Sequence, residues 1–451
     1  MTAPARTAAY HAVRAITAAR SDLPTALHAS REHLGDERDR SLAAEIVTGT
    51  LRWQRSLDHL IEHYSKRRIG KLDPEVVVIL RLSLYQLLHL DRVPASAVVD
   101  DAVDLTRAAR KPSATGFVNA VLRATLRQKH KLPLPGRPEN PADREAALAY
   151  LGVTHSHPGW LVARWLDRYG FEATERWVRF DNETPSLTVR VNTLRTTREQ
   201  AAATLAADEV DTQPTRFAPD GLVVTSGNPL RRPSDGLVFV QDEASQLVPL
   251  VAAALPNERV LDLCASPGGK TIAMAADMED SGTLVASDVR PRRLALLRDT
   301  VRLSGARSVS VVRVPTDGPL PFGARFDAVL VDAPCSGLGT IRRDPDIRWR
   351  RREDDLPSLA RDQVALLMRA ADVVRPGGRL VYATCSSEPE ENDGVIAAFV
   401  ELTSAGNDKV AEAKRLTREK IEGNVRALFA LVEKFQVTPE EAGLYMALSK
   451  I

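Results

Sequence analysis

Three cysteines in 451 residues are too few, and an odd number, to form a disulfide framework, and none shares a zinc-ligand spacing with a histidine. No apolar run approaches the roughly 18 residues of a membrane-spanning helix. The opening Met1-Thr-Ala-Pro-Ala-Arg6 lacks the apolar core of a secretory leader, so a cytoplasmic protein without membrane or metal is the default expectation. Charge of one sign is missing too, because 61 Lys and Arg stand against 59 Asp and Glu. Net charge therefore does not announce a polyanionic partner, and only the distribution of charge can. No internal repeat of about 20–50 residues is visible. What remains is a chain of ordinary globular composition, long enough for two or three cores.

From Ala8 to about Lys131 the pattern is helical, with Leu57, Leu60, Ile61 and Tyr64 on one face and Val76, Ile79, Leu80, Ser83, Leu84 and Leu87 on another. A Pro-rich connector, Leu132-Pro-Leu-Pro-Gly-Arg-Pro138, opens a linker over 132–154. Residues 155–235 mix short strands with helices, as in Ser186 to Asn192 followed by a polar helix from Thr197, and predict a small α/β module. Over 236–402 apolar strands alternate with helices. The strands are Arg259–Cys264, Thr283–Asp288, Ser308–Val314, Phe326–Asp332 and Arg379–Cys385, the last preceded by Pro376-Gly377-Gly378. That alternation predicts an α/β fold with a Rossmann-like open parallel sheet covered on both faces. Residues 403–451 read as a charged, helical tail, with Thr438-Pro-Glu-Glu441 as a helix start.

The first strand of this sheet runs into Cys264-Ala-Ser-Pro-Gly-Gly-Lys270-Thr, a small-residue loop ahead of a helix. Such a loop lets backbone approach a ligand closely. It has Cys264 where a P-loop needs glycine, and it does not spell the dinucleotide G-x-G-x-x-G. The second strand nevertheless ends in Asp288, placed to take ribose hydroxyls. A nucleoside without a pyrophosphate satisfies both facts, which points to S-adenosylmethionine. The fourth strand ends Asp332-Ala-Pro-Cys335, where enzymes that methylate exocyclic base nitrogens carry an Asp/Asn-Pro-Pro-aromatic motif. A thiol in place of the aromatic shifts the expected target to a carbon that needs covalent activation. Carbon 5 of a pyrimidine is such a carbon, because it becomes nucleophilic only after a thiolate adds at carbon 6. Asp332 could then hydrogen-bond the N3 and N4 side of the ring as charge develops there. Cys385, at the end of the next strand, is the second thiol. Either cysteine alone would read as a small buried hydrophobe; two at adjacent strand ends do not.

Three segments then resemble one family. They are Leu261-Asp-Leu-Cys-Ala-Ser-Pro-Gly-Gly-Lys-Thr271, Asp332-Ala-Pro-Cys-Ser-Gly337 with Arg342-Arg-Asp-Pro-Asp-Ile-Arg-Trp349, and Ala383-Thr-Cys-Ser386 with Pro389-Glu-Glu-Asn392. Together they are similar to the NOL1/NOP2/Sun RNA cytosine-C5 methyltransferases, in particular the bacterial branch acting on 16S rRNA. The helical N-terminal unit resembles the NusB-type RNA-binding domain that this branch carries. The resemblance implies Cys385 as the nucleophile on C6 and Cys335 as the group assisting release of the methylated base. It also implies that Cys264, Ala265, Ser266, Pro267, Gly268, Gly269, Lys270, Asp288 and Asp332 lie at or beside S-adenosylmethionine, with Lys270 reaching the active site. A monomer is expected.

Ile341 to Arg352 holds six arginines and one tryptophan in twelve residues, a mixture suited to phosphates and a splayed base. The alternative is a solvated basic helix start. Further basic runs lie at Lys66 to Lys71 and Arg123 to Lys131, so an RNA partner is expected from patches rather than from the total. His59 and His63 read as surface or interface residues. Glu390, Glu391 and Asn392 either open a helix after Pro389 or shape the turn of the nucleophile. The chain departs from the family at Pro315, where relatives carry an adenine-side acid and where Asp317 comes two residues late. It departs again in the tail, which lacks the usual aromatic-rich closing strand. Two rival readings are an RNA-binding assembly factor with a vestigial methyltransferase fold and an amino-nitrogen methyltransferase.

Overall fold

The computed structural model describes residues 2–229, 236–322 and 326–404; the tail expected to be helical lies outside the described residues. The chain falls into two compact units. One comprises Met1–Thr184 and Thr340–Glu353, the other Pro185–Gly339 and the chain from Asp354 onward.

The first unit is a helical bundle of α1 (Pro4–Thr17), α2 (Leu23–Glu32), α3 (Glu37–Arg52), α4 (Gln54–Ser65), α5 (Pro74–His89), α6 (Ala95–Ala108) and α7 (Thr115–Arg127). Helix α5 starts at a proline, whose missing N–H is no loss at a helix N-terminus, and is buried without interruption from Val76 to Leu87. It is therefore the axis of the bundle, and Val13, Leu51, Leu60, Ile61 and Val118 pack into the same core as its Ile79, Leu80 and Leu84. Arg81 reaches out of this core to grip both carboxylate oxygens of Asp58 at 2.6 and 2.8 Å. The segment read as a linker contains a short helix, α8 (Arg144–Ala149), and α9 (Gly159–Phe180) follows, broken at Gly170 where φ is +73°.

The second unit opens with an antiparallel sheet ordered β2-β3-β1-β4, from β1 (Leu187–Val191), β2 (Asp211–Pro214), β3 (Gly221–Ser226) and β4 (Val238–Val240). Between β1 and β2 lies α10 (Arg198–Ala207), which starts on a complete capping box between Thr197 and Gln200. After α11 (Glu243–Ala252) comes a five-stranded, all-parallel sheet ordered β7-β6-β5-β8-β9. Its strands are β5 (Arg259–Asp262), β6 (Thr283–Asp288), β7 (Val309–Arg313), β8 (Phe326–Asp332) and β9 (Val374–Ala383), linked through α12 (Gly269–Asp277) and α13 (Pro291–Ser304). The near-continuous apolar runs of β5 and β8 are explained by burial on both faces. Val260 and Leu330 face Ile272, Met274, Leu294 and Leu297, and Leu261, Val329 and Val331 face the opposite layer. The strand order reverses between β5 and β8, so their carboxyl ends flank the crevice where α/β sheets bind ligands. Strand β9 is longer than the sequence indicated. Pro376-Gly377-Gly378 is a bulge inside it, between the pairs Phe326 with Val374 and Ala328 with Arg379, and does not precede it.

Beyond β8 the chain lends Thr340–Glu353, including the single turn α14 (Ile347–Arg350), to the helical unit, then returns through α15 (Leu356–Ala371) to β9 and α16 (Asp393–Ser404). For one of its arginines this segment corrects the reading as phosphate contacts, while Arg350 and Arg352 are exposed. Arg348 is completely buried, and its guanidinium donates to the carbonyls of Ser156 (2.9 Å) and Asp181 (3.2 Å) and to Asn182 Oδ1 (3.0 Å). The Trp349 indole N–H donates to the Leu51 carbonyl at 2.6 Å, and Arg342 lies 4.5 Å from the Phe180 ring centre. The sequence showed positive charge but not which guanidinium the backbone carbonyls would enclose. Arg348→Met should leave those acceptors without a donor and lower stability by about 3 kcal/mol, to be read from urea unfolding. Lys66, Arg67, Arg68, Lys71, Arg123 and Arg127 are exposed, as a polyanion partner requires. No described helix is long and apolar enough to cross a membrane.

Candidate active site

The loop from β5 to α12 carries Cys264 to Gly269. Gly268 has φ +109°, and a Cβ there would come within 2.9 Å of Leu297 Cδ1, so glycine is required by both backbone and space. The loop is held by Ser287 Oγ donating to the Leu263 carbonyl at 2.9 Å and by Ser266 Oγ donating to the Arg293 carbonyl at 3.0 Å. Burial, reinforced by the fields of Asp262 and Asp332, pushes the Cys264 thiol far above its usual range. That sulfur stays protonated and is a wall of the loop rather than a nucleophile.

Asp288 ends β6, buried, with Oδ1 accepting the Arg290 backbone N–H at 3.0 Å. The sequence reading missed the carboxylate one strand over. Asp262, at the end of β5, is fully buried; its Oδ2 accepts from Thr271 Oγ1 at 2.7 Å, and its Oδ1 has no hydrogen-bond partner. Burial pushes its carboxyl up to about 7, with Asp332 and Asp288 adding to the rise. Its position at a strand end beside a glycine loop was the signal available.

Lys270, in the first turn of α12, donates to Asp332 Oδ2 at 2.7 Å. Burial works to lower the ammonium, but the Asp332 charge and hydrogen bond outweigh it and hold the amine charged. The ends of β8 and β9 then bring the two sulfurs together, with Cys335 Sγ and Cys385 Sγ 3.2 Å apart. The hydrogen bond from Cys335 holds the exposed Cys385 thiol below its ordinary range, while the same contact and burial push Cys335 well above it. Of the two sulfurs in contact, Cys385 is exposed and Cys335 half-buried. Residues Pro389–Glu391 form a 3-10 turn and the helix starts only at Asp393, so Glu390 and Glu391 do not open α16. Instead Asn392 Nδ2 donates to the carbonyls of Ser386 and Glu388, both at 3.0 Å, and its Oδ1 accepts from Thr384 Oγ1 at 2.6 Å. Asp317 is exposed in the loop after β7, whose Pro315 and Thr316 carbonyls accept from Arg369 at 2.8 Å. Among the described residues no group of three His, Cys, Asp or Glu could hold a metal ion.

A five-stranded parallel sheet with carboxylates at three strand ends, a glycine loop at its switch point and two thiols after its last two strands is the architecture of a Rossmann-like methyltransferase. Three domain families match the chain: the 16S rRNA methyltransferase RsmB/F family over residues 250–448, the NusB family over 3–127, and the ferredoxin-like domain of RsmF/B-like methyltransferases over 157–231. The chain is 34% identical over 397 residues to the probable ribosomal RNA small subunit methyltransferase B of Bacillus subtilis (strain 168), covering 86% of each. It is also 34% identical over 407 residues to the ribosomal RNA small subunit methyltransferase B of Pseudomonas putida, covering 89% of this chain and 90% of that one. The crystal structure of PH0851 superposes with a TM-score of 0.73 at 28% identity, over 89% of this chain and 90% of that chain. The chain belongs to the RsmB/F family of 16S rRNA methyltransferases.

Proposed function

We propose that the protein methylates carbon 5 of a cytidine in RNA, with 16S rRNA as the substrate, through a covalent bond between Cys385 Sγ and carbon 6. The observation that carries this reading is the thiol pair, 3.2 Å apart and unequal in proton affinity, set beside the Lys270–Asp332 pair at the sheet's switch point. The names of the curated relatives supply the RNA class, and the exposed basic runs of the helical unit suit it.

S-adenosylmethionine fits the residues at the β5 and β6 ends. Asp332 is paired with Lys270, Asp288 lies 3.8 Å from Arg293 Nη1, and Asp262 Oδ1 is an orphaned buried acceptor beside the glycine loop. Residues 264–270, Asp288 and Asp332 would hold it, and when bound it supplies an electrophilic methyl group. The chain's own residues do the rest. Cys385, as thiolate, adds to C6 and leaves an electron-rich C5=C4 system. Asp332 accepts from the N4 amino group and orients the ring, and the Lys270 ammonium paired with it offsets the electron density that builds on N3. After C5 has gained its methyl group, its proton passes to water as base, the C–H electron pair re-forms the C5=C6 bond, and the C6–S bond breaks so that Cys385 leaves as thiolate, with the Cys335 S–H beside it donating a hydrogen bond to the departing sulfur.

Asp332→Asn should cut methylation by about 10²–10³-fold, because it removes both a ring contact and the counter-charge of Lys270. Initial rates of methyl incorporation into 16S rRNA check this. Mapping the methyl group to C5 by mass spectrometry tests the reading as a whole. Methyl on an exocyclic nitrogen would overturn it, and calorimetry showing no S-adenosylmethionine binding would favour an RNA-binding assembly role.

A further inference from the structure

We propose that Glu391 is a positioning residue that holds Cys335 and Cys385 in a common register, and that it acts on both halves of the covalent cycle. The inference rests on the covalent reading above and adds to it a residue outside the thiols and the Lys270–Asp332 pair. Glu391 is completely buried. Its Oε1 accepts from the backbone N–H of Ser336 at 2.8 Å and from Gln363 Nε2 at 2.9 Å; its Oε2 accepts from Ser386 Oγ at 2.5 Å. Ser336 and Ser386 directly follow Cys335 and Cys385, and their hydroxyls lie 3.0 Å apart. One carboxylate therefore ties the two cysteine-bearing loops, which are 50 residues apart in sequence.

The tie is completed on the other side of Cys335. Gln363, on α15, donates to the Pro334 carbonyl at 3.0 Å through the same amide that reaches Glu391. Tyr382, near the end of β9, donates its single hydroxyl proton to the Glu391 carbonyl at 2.7 Å, with Gln363 Oε1 3.1 Å from the same oxygen. Pro334 and Ser336 are thus both held, so the Cys335 sulfur has little freedom to drift from its partner. A buried carboxylate is electrostatically a poor neighbour for a thiolate nucleophile, and Glu391 raises the proton affinity of both sulfurs. A group present against its electrostatic cost is explained by what only it provides, namely three acceptances shared between two loops. Carbons 5 and 6 of the base are bonded neighbours, so two sulfurs serving one ring must keep a short, fixed separation.

The test uses the full chain with 16S rRNA and follows formation and decay of the denaturation-resistant protein–RNA adduct separately. In a Cys335→Ala background, where release is stalled, Glu391→Ala should slow adduct formation by about a hundredfold, the cost of misplacing a reacting group by about 1 Å. With both cysteines present, Glu391→Ala should slow release as well, so that adduct appears at steady state. Glu391→Gln keeps Oε1 as an acceptor for Ser336 and Gln363, and a rotated Ser386 hydroxyl can accept from its amide. It should stay within about tenfold of the parent rate, with the acid limb of adduct formation moved to lower pH because a negative charge beside Cys385 is gone. If Cys335→Ala forms no adduct, the covalent reading fails. If it forms adduct and the Glu391→Ala double variant forms it as fast, the positioning role fails while the covalent reading stands. Should Glu391→Ala not fold, Glu391→Gln decides alone: an unmoved acid limb overturns the proposal.

Discussion

Cys385→Ala should abolish methylation of 16S rRNA, a loss on the order of 10⁵-fold as for other catalytic nucleophiles, and should yield no protein–RNA adduct. The expectation follows from the asymmetry of the two thiols. Cys385 is the exposed one and the one whose proton affinity is held down by the hydrogen bond from Cys335, whereas Cys335 keeps its proton. Without a thiolate at C6, carbon 5 remains too poor a nucleophile for methyl transfer, and no other described thiol can substitute because burial keeps Cys264 protonated. The variant should still bind S-adenosylmethionine with an affinity within about twofold of the parent, since the glycine loop, Asp262 and Asp288 sit at the ends of β5 and β6, away from the β9 turn. Methyl incorporation, adduct electrophoresis under denaturing conditions and cofactor calorimetry check the three parts. Retained methylation would overturn the nucleophile assignment, whatever the adduct experiment showed.

How far such a site can be read from sequence depends on whether its residues are fixed by chain-local chemistry. The five parallel strands were legible because burial on both faces forces unbroken apolar runs, and their carboxyl ends then located Asp288, Asp332, Cys335 and Cys385. Gly268 was legible because a positive φ and the Leu297 side chain exclude anything larger. Two things were not. The arginines at 341–352 looked like a polyanion surface, yet Arg348 is enclosed by carbonyls from residues 156 and 181, a partnership that no local pattern encodes. Likewise Gln363 lies on a helix with no motif around it, and its tie to Pro334 and Glu391 emerges only once α15 packs against the β8 and β9 ends. Glu391 and Asn392 illustrate the boundary between these cases. Their residue types suited either a helix start or a turn, and only the late start of α16 at Asp393 decides for the turn.

Cys335→Ala should produce the opposite phenotype from Cys385→Ala: attack without release, so that the adduct accumulates while turnover falls by about 10²-fold or more. The hydrogen bond from Cys335 has two consequences that this variant separates. In the free enzyme it stabilises the Cys385 thiolate, so its loss should raise the Cys385 pKa and move the acid limb of adduct formation to higher pH. The sign follows from which form the bond favours. Thiolate is present above the Cys385 pKa and lost as pH falls through it, so a raised pKa demands a higher pH for the same rate of attack. In the adduct, Cys385 is a neutral thioether that must leave as thiolate, and the donor that stabilised the thiolate before attack stabilises it again as the C6–S bond breaks. Removing that donor therefore retards release, and because attack can be restored by raising pH, the adduct should be most abundant in alkaline buffer. Cys335→Ser, which keeps an O–H donor, should recover part of the release rate. Denaturing electrophoresis of reactions quenched across a pH series measures both effects. An adduct-free Cys335→Ala protein with an unshifted acid limb would show that Cys335 neither tunes the nucleophile nor assists its departure.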